Sequence, residues 1–382
     1  RGELRTGSLR PLLQGQATSA DLPVALALSV GRSTASFNGV VRDPMDRRDL
    51  LGQLKLAGPS LAAVGEPLGI TLPTTASFSL QGSLTRQGAV WSSVVNRAHI
   101  GQSELDGAFQ YDTRRTPRPR LLGRLHARTL ALADLGPAIG TATPDAPAQV
   151  RAAGRVLPDR RFDLPSLRAM DANVLLRLDR LDFGTSALQA VSPLNGHLTL
   201  VNGMLRLADI DARLAQGHIS GQVQFDGRGD RAQWQAALDV RGLRLEQWVR
   251  AVQSPGRTPY AGGLIGARLR LTGAGRSTAE ILGSAEGQVG LQWTQGQISH
   301  LVVEAAGLDI AQGLGLLLRG DDPLAVTCGL ADLAVQRGVV RPRAFVIDTT
   351  DSRAWLTGTV SLAEERLALL AKVQPKDFSP MS

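Results

Sequence analysis

HLTLVNGMLRL, residues 197–207, decides the fold class of this chain. It reads as two short strands around Asn202-Gly203, a pair favoured in two-residue hairpins because both central positions there need positive φ. Working outward, the same period-two alternation of apolar and polar residues recurs, the mark of strands buried on one face. TASFSLQGSL (75–84) sets Ala76, Phe78 and Leu80 on one side, with Ser77, Ser79 and Gln81 on the other. GQVQFDG (221–227) and RAQWQAALDV (231–240) alternate likewise across a Gly/Asp turn. Such strands recur about every 8 to 12 residues, the spacing of an antiparallel all-β architecture.

Three places break the alternation in a matching way. QLKLAGPSLAAVGEPLG starts at Gln53, RLHARTLALADLGPAIG at Arg124 and ALDVRGLRLEQWVRAV at Ala237. Leu54, Leu61, Val64 and Leu68 have the same offsets as Leu125, Leu132, Leu135 and Ile139, and as Leu238, Leu245, Trp248 and Val252. Each predicts a short strand leading into two or three helical turns. A second recurrence aligns Gly88, Gly203 and Gly338, each followed by two strands and another Gly (Gly107, Gly221, Gly358). The chain thus reads as an imperfect internal repeat whose units bury together an apolar surface that none buries alone. The expected organisation is residues 1–140, N-terminal strands with short helices; 141–171, a Pro/Ala/Arg-rich linker or long loop; 172–253, a middle repeat ending in a short helix; and 254–382, a C-terminal β region. That last region includes one longer helix at about 301–318, where Val303, Ile310, Leu314 and Leu317 share a face expected to cap the strand body rather than meet lipid.

The 382 residues hold 43% apolar and 20% charged residues, which suits a folded chain. Lys and Arg exceed Asp and Glu by 42 − 34 = 8. Almost all of that excess is Arg, spread along the chain without an aromatic-studded basic stripe, so no nucleic-acid partner is expected. Cys328 is the lone cysteine, which excludes an intrachain disulfide and a cysteine metal cluster. No apolar run is long enough to span a membrane. The first residue is Arg1, and an upstream segment is expected to precede it.

Candidate chemistry is thin. In VIDTTDSRAWL (346–356) Asp348 and Asp351 read as a turn between strands, against a less favoured hydrolase reading in which the two carboxylates serve as acid and base. His99, His126, His197, His218 and His300 show no metal-ligand spacing. GHISG (217–221) places its Ser one position late for a nucleophile elbow. LTGAGRSTAEIL (271–282) lacks the Lys-Ser/Thr ending of a phosphate loop and reads as a turn and a helix capped near Ser277 or Thr278. No catalytic residue, metal or cofactor is expected.

The last block carries a family likeness. GRSTAEILGSAEGQV, ISHLVVEAAGLD, CGLADLAVQRGVV, IDTTDS, GTVSLAEERLAL and PKDFSP, all within residues 260–380, closely resemble the C-terminal region of the AsmA family of Gram-negative envelope proteins. LALADLGPAIG and GITLPTTASFSLQGSL look like its N-terminal part. The resemblance implies an inner-membrane anchor preceding this chain, a body in the periplasm, and kinship with TamB-like and YhdP-like proteins and with bridge-like lipid transfer proteins. It also implies a mainly β fold: repeated antiparallel β-sheets curled into an elongated, taco-like groove with short interspersed helices.

The residues themselves add a physical requirement: strands with one apolar face need something to cover it, and the short helices here are too few. Either two sheets cover each other, or one sheet curls and its aliphatic side takes a ligand. Under the second reading the expected groove residues are Phe78, Leu80, Leu198, Leu200, Val223, Phe225, Leu238, Leu356, Val360 and Leu362. The expected function is binding or conducting phospholipid by its acyl chains in outer-membrane homeostasis or biogenesis. The alternative is a non-enzymatic scaffold that assists outer-membrane protein assembly through envelope protein partners.

Overall fold

The computed structural model describes residues 2–6, 21–42, 49–65, 75–115, 117–135, 159, 161–184, 188–249, 261–299 and 323–376. The first strands are β1 (Gly2–Thr6), β2 (Leu22–Val30), β3 (Ser33–Arg42), β4 (Asp49–Gly58), β5 (Phe78–Gln87), β6 (Val90–Ile100), β7 (Ser103–Asp112) and β8 (Arg120–Ala131). Next come β9 (Asp171–Leu178), β10 (Leu181–Asp182), β11 (Leu194–Val201), β12 (Met204–Leu214), β13 (Gly217–Asp226) and β14 (Ala232–Arg244). The last are β15 (Ala261–Gly275), β16 (Glu286–Ser299), β17 (Pro323–Gln336), β18 (Val339–Thr349), β19 (Ser352–Ser361) and β20 (Arg366–Pro375). Among the described residues between them lie four short helices, α1 (Leu61–Gly65), α2 (Leu164–Leu167), α3 (Leu245–Trp248) and α4 (Thr278–Gly283), and a 3-10 turn, Leu132–Leu135.

The hairpin predicted at Asn202-Gly203 forms, with φ of 51° and 79°, and joins β11 to β12. Gly338, after Arg337, holds the matching second position of the β17–β18 turn, whereas Gly88 takes the first position of the β5–β6 turn. The three matching strand–helix units also form. Leu61, Leu132 and Leu245, which share one offset in the repeat, each open a helical element directly after a strand. Each shows a single turn among the described residues; the rest of each expected helix, with Leu68, Ile139 and Val252, lies outside them. α4 is capped as predicted: Ser277 Oγ accepts from the Glu280 amide at 3.2 Å, and Glu280 reaches back to the Arg276 amide at 2.9 Å.

From β1 to β8 each strand pairs antiparallel with its chain neighbour. The same holds from β11 to β20. These two meanders meet at β9, which pairs antiparallel with β11 and parallel with β8, Arg120 opposite Asp171 through Ala127 opposite Leu178. All strands except the two-residue β10 thus form one open, mixed sheet of 19 strands. Neighbouring strands rotate by roughly 20 to 25° relative to each other, so a sheet this wide coils rather than lies flat. It is an elongated curled sheet, mainly β, with few short helices. Nothing in the sequence announced the parallel junction, because no local pattern marks a partner some fifty residues away.

The expected helix at 301–318 and residues 141–158 and 160 of the expected linker lie outside the described residues. The described end of that linker packs on the sheet. Phe162 meets Phe225 edge-on at 5.1 Å between ring centroids, its amide donates to the Arg276 carbonyl, and Leu164 of α2 is buried.

Candidate functional site

Residues directly opposite in a ladder share a face, so the register assigns every strand residue to one side of the sheet. Starting from Leu26, the pairs run Leu26, Phe37, Leu54, Gly82, Val95, Gly107, Leu125, Leu176 and Gly196 across β2 to β11. A row in the second meander runs Gly221, Leu238, Leu269, Val289 and Leu333 across β13 to β17. The rows join through Leu198, which lies opposite Val174 on β9 and Leu207 on β12; Leu207 in turn lies opposite Val223 on β13. A bulge at Asp209, with φ of 52°, returns Ile210, Ala212 and Leu214 to the same side. The apolar face is therefore continuous from β2 to β20. Among the described strand residues that the register places on it, Arg86 is the single charged one.

The opposite face is polar and ion-paired across strands. Glu104 meets Arg128 and Asp239 meets Arg268, each at 2.8 Å; His218 meets Asp211 at the same distance. His126 stands between two carboxylates, its Nδ1 2.8 Å from Asp106 and its Nε2 3.0 Å from Asp179, which raises its pKa, chiefly through the bond to Asp106. Depressions of about 550 and 410 Å³ on this side are lined by groups such as Arg124, His126 and Arg177, or Gln222, Gln235 and Arg270. Apolar groups line them as well, Val94, Ala108 and Leu175 in the first and Ala237 and Leu271 in the second.

The two faces differ in exposure as a curl requires. Leu51, Val94, Leu175, Val201 and Leu330, all on the polar face, are exposed. On the apolar face Leu198, Val223, Leu238, Leu269, Val289 and Leu291 are half-buried although the described residues lay no second sheet over them. The exposed exceptions, Leu28, Val30, Leu367 and Leu369, sit on β2 and β20 near the sheet's ends.

Short elements close the two long rims. At one rim Leu61 of α1 packs on Ala76, Phe78 and Ile100, and Trp248 of α3 packs on the cluster of Ile210, Leu214 and Leu243. There too the buried Asp134 accepts from the Gln102 amide at 2.8 Å and the Ser103 hydroxyl at 2.7 Å, fastening the 3-10 turn to the β6–β7 hairpin. At the other rim Ile281 of α4 lies against Gly273, and Leu164 and Leu167 lie against Gly227. The middle rows between these rims are left uncovered by the described helices.

Nine of the ten expected groove residues fall on the apolar face: Phe78, Leu80, Leu198, Leu200, Val223, Phe225, Leu238, Leu356 and Val360. Leu362 lies just past β19, where its amide bonds the Gly338 carbonyl. They divide by cover. Phe78 and Leu200 are buried, at 5% exposure each, and Phe225 sits under Phe162, so these three serve the rims. The other six are half-buried: Leu80 packs on the Phe78 cluster and Val223 and Leu238 on the Ile210 cluster, while Leu198, Leu356 and Val360 stand outside both. Leu54, Val95, Leu125, Leu176, Leu269, Val289 and Leu291 belong to the same surface and were readable from the same alternation.

The Asp348–Asp351 segment is a turn, as the sequence suggests. β18 ends at Thr349, whose hydroxyl bonds Ser352, and β19 begins at once. Asp348 is held below its ordinary pKa by Arg353 first and Lys376 second, at 2.8 and 3.0 Å. Such a carboxylate stays ionised rather than poised to give up a proton. GHISG forms the start of β13, with no sharp strand-to-helix turn. No group of three or more His, Cys, Asp or Glu among the described residues could hold a metal ion. Nor is any described helix long and apolar enough to cross a membrane.

No solved structure matches the chain. The family model described as AsmA family matches residues 16–345. The AsmA family protein YhjG of Escherichia coli (strain K12) is 31% identical over an alignment of 388 residues, covering 97% of this chain and 56% of the relative. The chain therefore spans little more than half the length of that relative. The match over most of its length shows that this chain belongs to the AsmA family.

Proposed function

We propose that this chain holds phospholipid by its acyl chains along the apolar face of the curled sheet, as the periplasmic part of an inner-membrane-anchored envelope protein. Family membership supports an envelope-related role. The observation that carries the lipid reading is the unbroken, half-exposed aliphatic face running through both meanders. Nineteen strands about 4.8 Å apart give a trough of about 90 Å along its axis. An alkyl chain laid in it gains about 0.8 kcal/mol for each methylene removed from water. With no charged group in the described rows between the rims to fix one position, a chain held this way can slide. Electrostatics on the outer face keep that side in water.

The test is a photo-crosslinking residue placed singly at Leu198, Leu238 or Leu269 on the apolar face and at Gln224 or Gln235 on the polar face. Phospholipid is expected on the first three and not on the last two. Absence of lipid at all five sites would remove the reading and leave the scaffold alternative, in which the edges of β1 and β20 take up strands of partner proteins.

A further inference from the structure

Arg86 breaks the chemistry of the face it stands on. It stands one residue before the end of β5, in a rim row that runs Leu50, Arg86, Trp91, Tyr111 and Leu121 over five consecutive strands. The guanidinium carbon lies over the Trp91 ring, 5.0 Å from its centroid, a cation–π arrangement. Its Nε donates to the Gly88 carbonyl at 2.9 Å, which uses one donor and fixes the side chain at the β5–β6 turn. Among the described residues no carboxylate pairs with the terminal nitrogens: the neighbouring Asp49 accepts from the Gly88 amide instead. Burial raises the Tyr111 pKa, so its hydroxyl remains a neutral donor one strand beyond Trp91. The next row inward is Gly52, Leu84, Ser93, Phe109 and Gly123, and beyond it lie Leu54, Val95 and Leu125.

A positioned guanidinium fork suits the paired oxygens of a phosphate, and Trp and Tyr suit the boundary between a polar head and an apolar tail. Resting on the lipid-holding reading above, we propose that Arg86, stacked on Trp91 with Tyr111 beside it, is a headgroup site that takes the phosphate of a phospholipid whose acyl chains lie in the rows below. It is a place where a lipid enters or pauses, on a trough that elsewhere grips only hydrocarbon.

The experiment compares uptake of phosphatidylglycerol and of diacylglycerol, which lacks the phosphate, by the wild-type chain, Arg86→Gln and Arg86→Lys. Arg86→Gln is expected to lower phosphatidylglycerol uptake about tenfold relative to diacylglycerol, with Arg86→Lys between the two. Soluble glycerol 3-phosphate, which has the phosphate and no acyl chain, is expected not to compete. An unchanged ratio of the two lipids in Arg86→Gln would overturn the headgroup site while leaving the trough intact. Equal loss of both lipids would make Arg86 a structural clamp and overturn it as well. Competition by glycerol 3-phosphate at the lipid's own concentration would make the site one for free phosphates. Uptake of neither lipid by the wild-type chain would remove the trough reading itself.

Discussion

The two faces of this sheet are built on the same backbone and handle polarity in opposite ways. On the outer face Asp239 and Arg268 meet directly across β14 and β15. One residue along, and on the inner face, Leu238 meets Leu269 with no polar atom between them. The outer pairs are exposed and add little to stability, since each is screened by water. What they do is make the outside a poor surface for a second sheet. The inner rows have no such partners, and their contribution scales with whatever apolar area comes to cover them. Where the protein supplies its own cover, at the rims, that area goes to folding. Where it does not, in the middle rows, the area is what the proposed acyl chains would cover.

The largest expected effect separates rim from middle. Ile210→Ala, in the buried cluster under α3, should lower unfolding stability by about 2–5 kcal/mol in a denaturant titration. Lipid exchange by the remaining folded protein should persist. Second comes a charge in the middle rows. Leu269→Asp should cut phospholipid crosslinking about tenfold or more, because a carboxylate will not be desolvated beside an alkyl chain. Gln235→Asp, on the outer face, should leave it unchanged. Leu200→Asp and Phe225→Asp are less informative, since one side chain is buried and the other lies under Phe162.

A smaller effect follows from His126, which links Asp106 on β7 to Asp179 just past β9 and so straddles the parallel junction. Its pKa is raised in the folded state, first by the Asp106 bond and then by Asp179, with Arg177 near the latter. Its stabilising contribution is therefore complete below the unfolded value of 6.5 and fades as pH rises through the higher folded value. Backbone amides of β8 and β9 should exchange faster across that upward window, after correction for intrinsic rates. His126→Gln should flatten the dependence; an identical profile in the variant would assign it to other groups. The smallest effect belongs to the outer pairs. Arg268→Ala should leave both the unfolding midpoint and lipid crosslinking within error, and a clear shift in either would show that the outer face does more than stay wet.

Most of the sheet was legible because its signals are local. Alternation such as Ala76, Phe78, Leu80 assigns a face from a handful of residues, and Asn202-Gly203 fixes a turn from two. The offsets shared by Leu61, Leu132 and Leu245 located the single helical turns at one rim. Arg86 was missed for an equally physical reason. In SLTRQG it reads as an ordinary polar residue before a turn, and only its pairing opposite Trp91 puts it on the apolar side. The division of the candidates into rim and middle was also hidden, since it depends on Phe162 and α3 arriving from distant parts of the chain. The β8/β9 junction was hidden most completely.

That junction has a consequence for how such a molecule changes size. The other long ladders join strands that follow one another, or in the case of β9 and β11 are parted only by the short β10, so each starts from pairs close in sequence. From Arg120 to Ala127 every partner lies 178 − 127 = 51 residues on, across an excursion of the chain. Lengthening that excursion costs little, as loop-closure entropy grows only with the logarithm of length. Hairpins added to either meander would extend the trough by about 10 Å a pair without disturbing the other's register. The distance such a protein spans is thus set by counting hairpins, and the crossing between β8 and β9 is where two separately grown lengths are spliced into one.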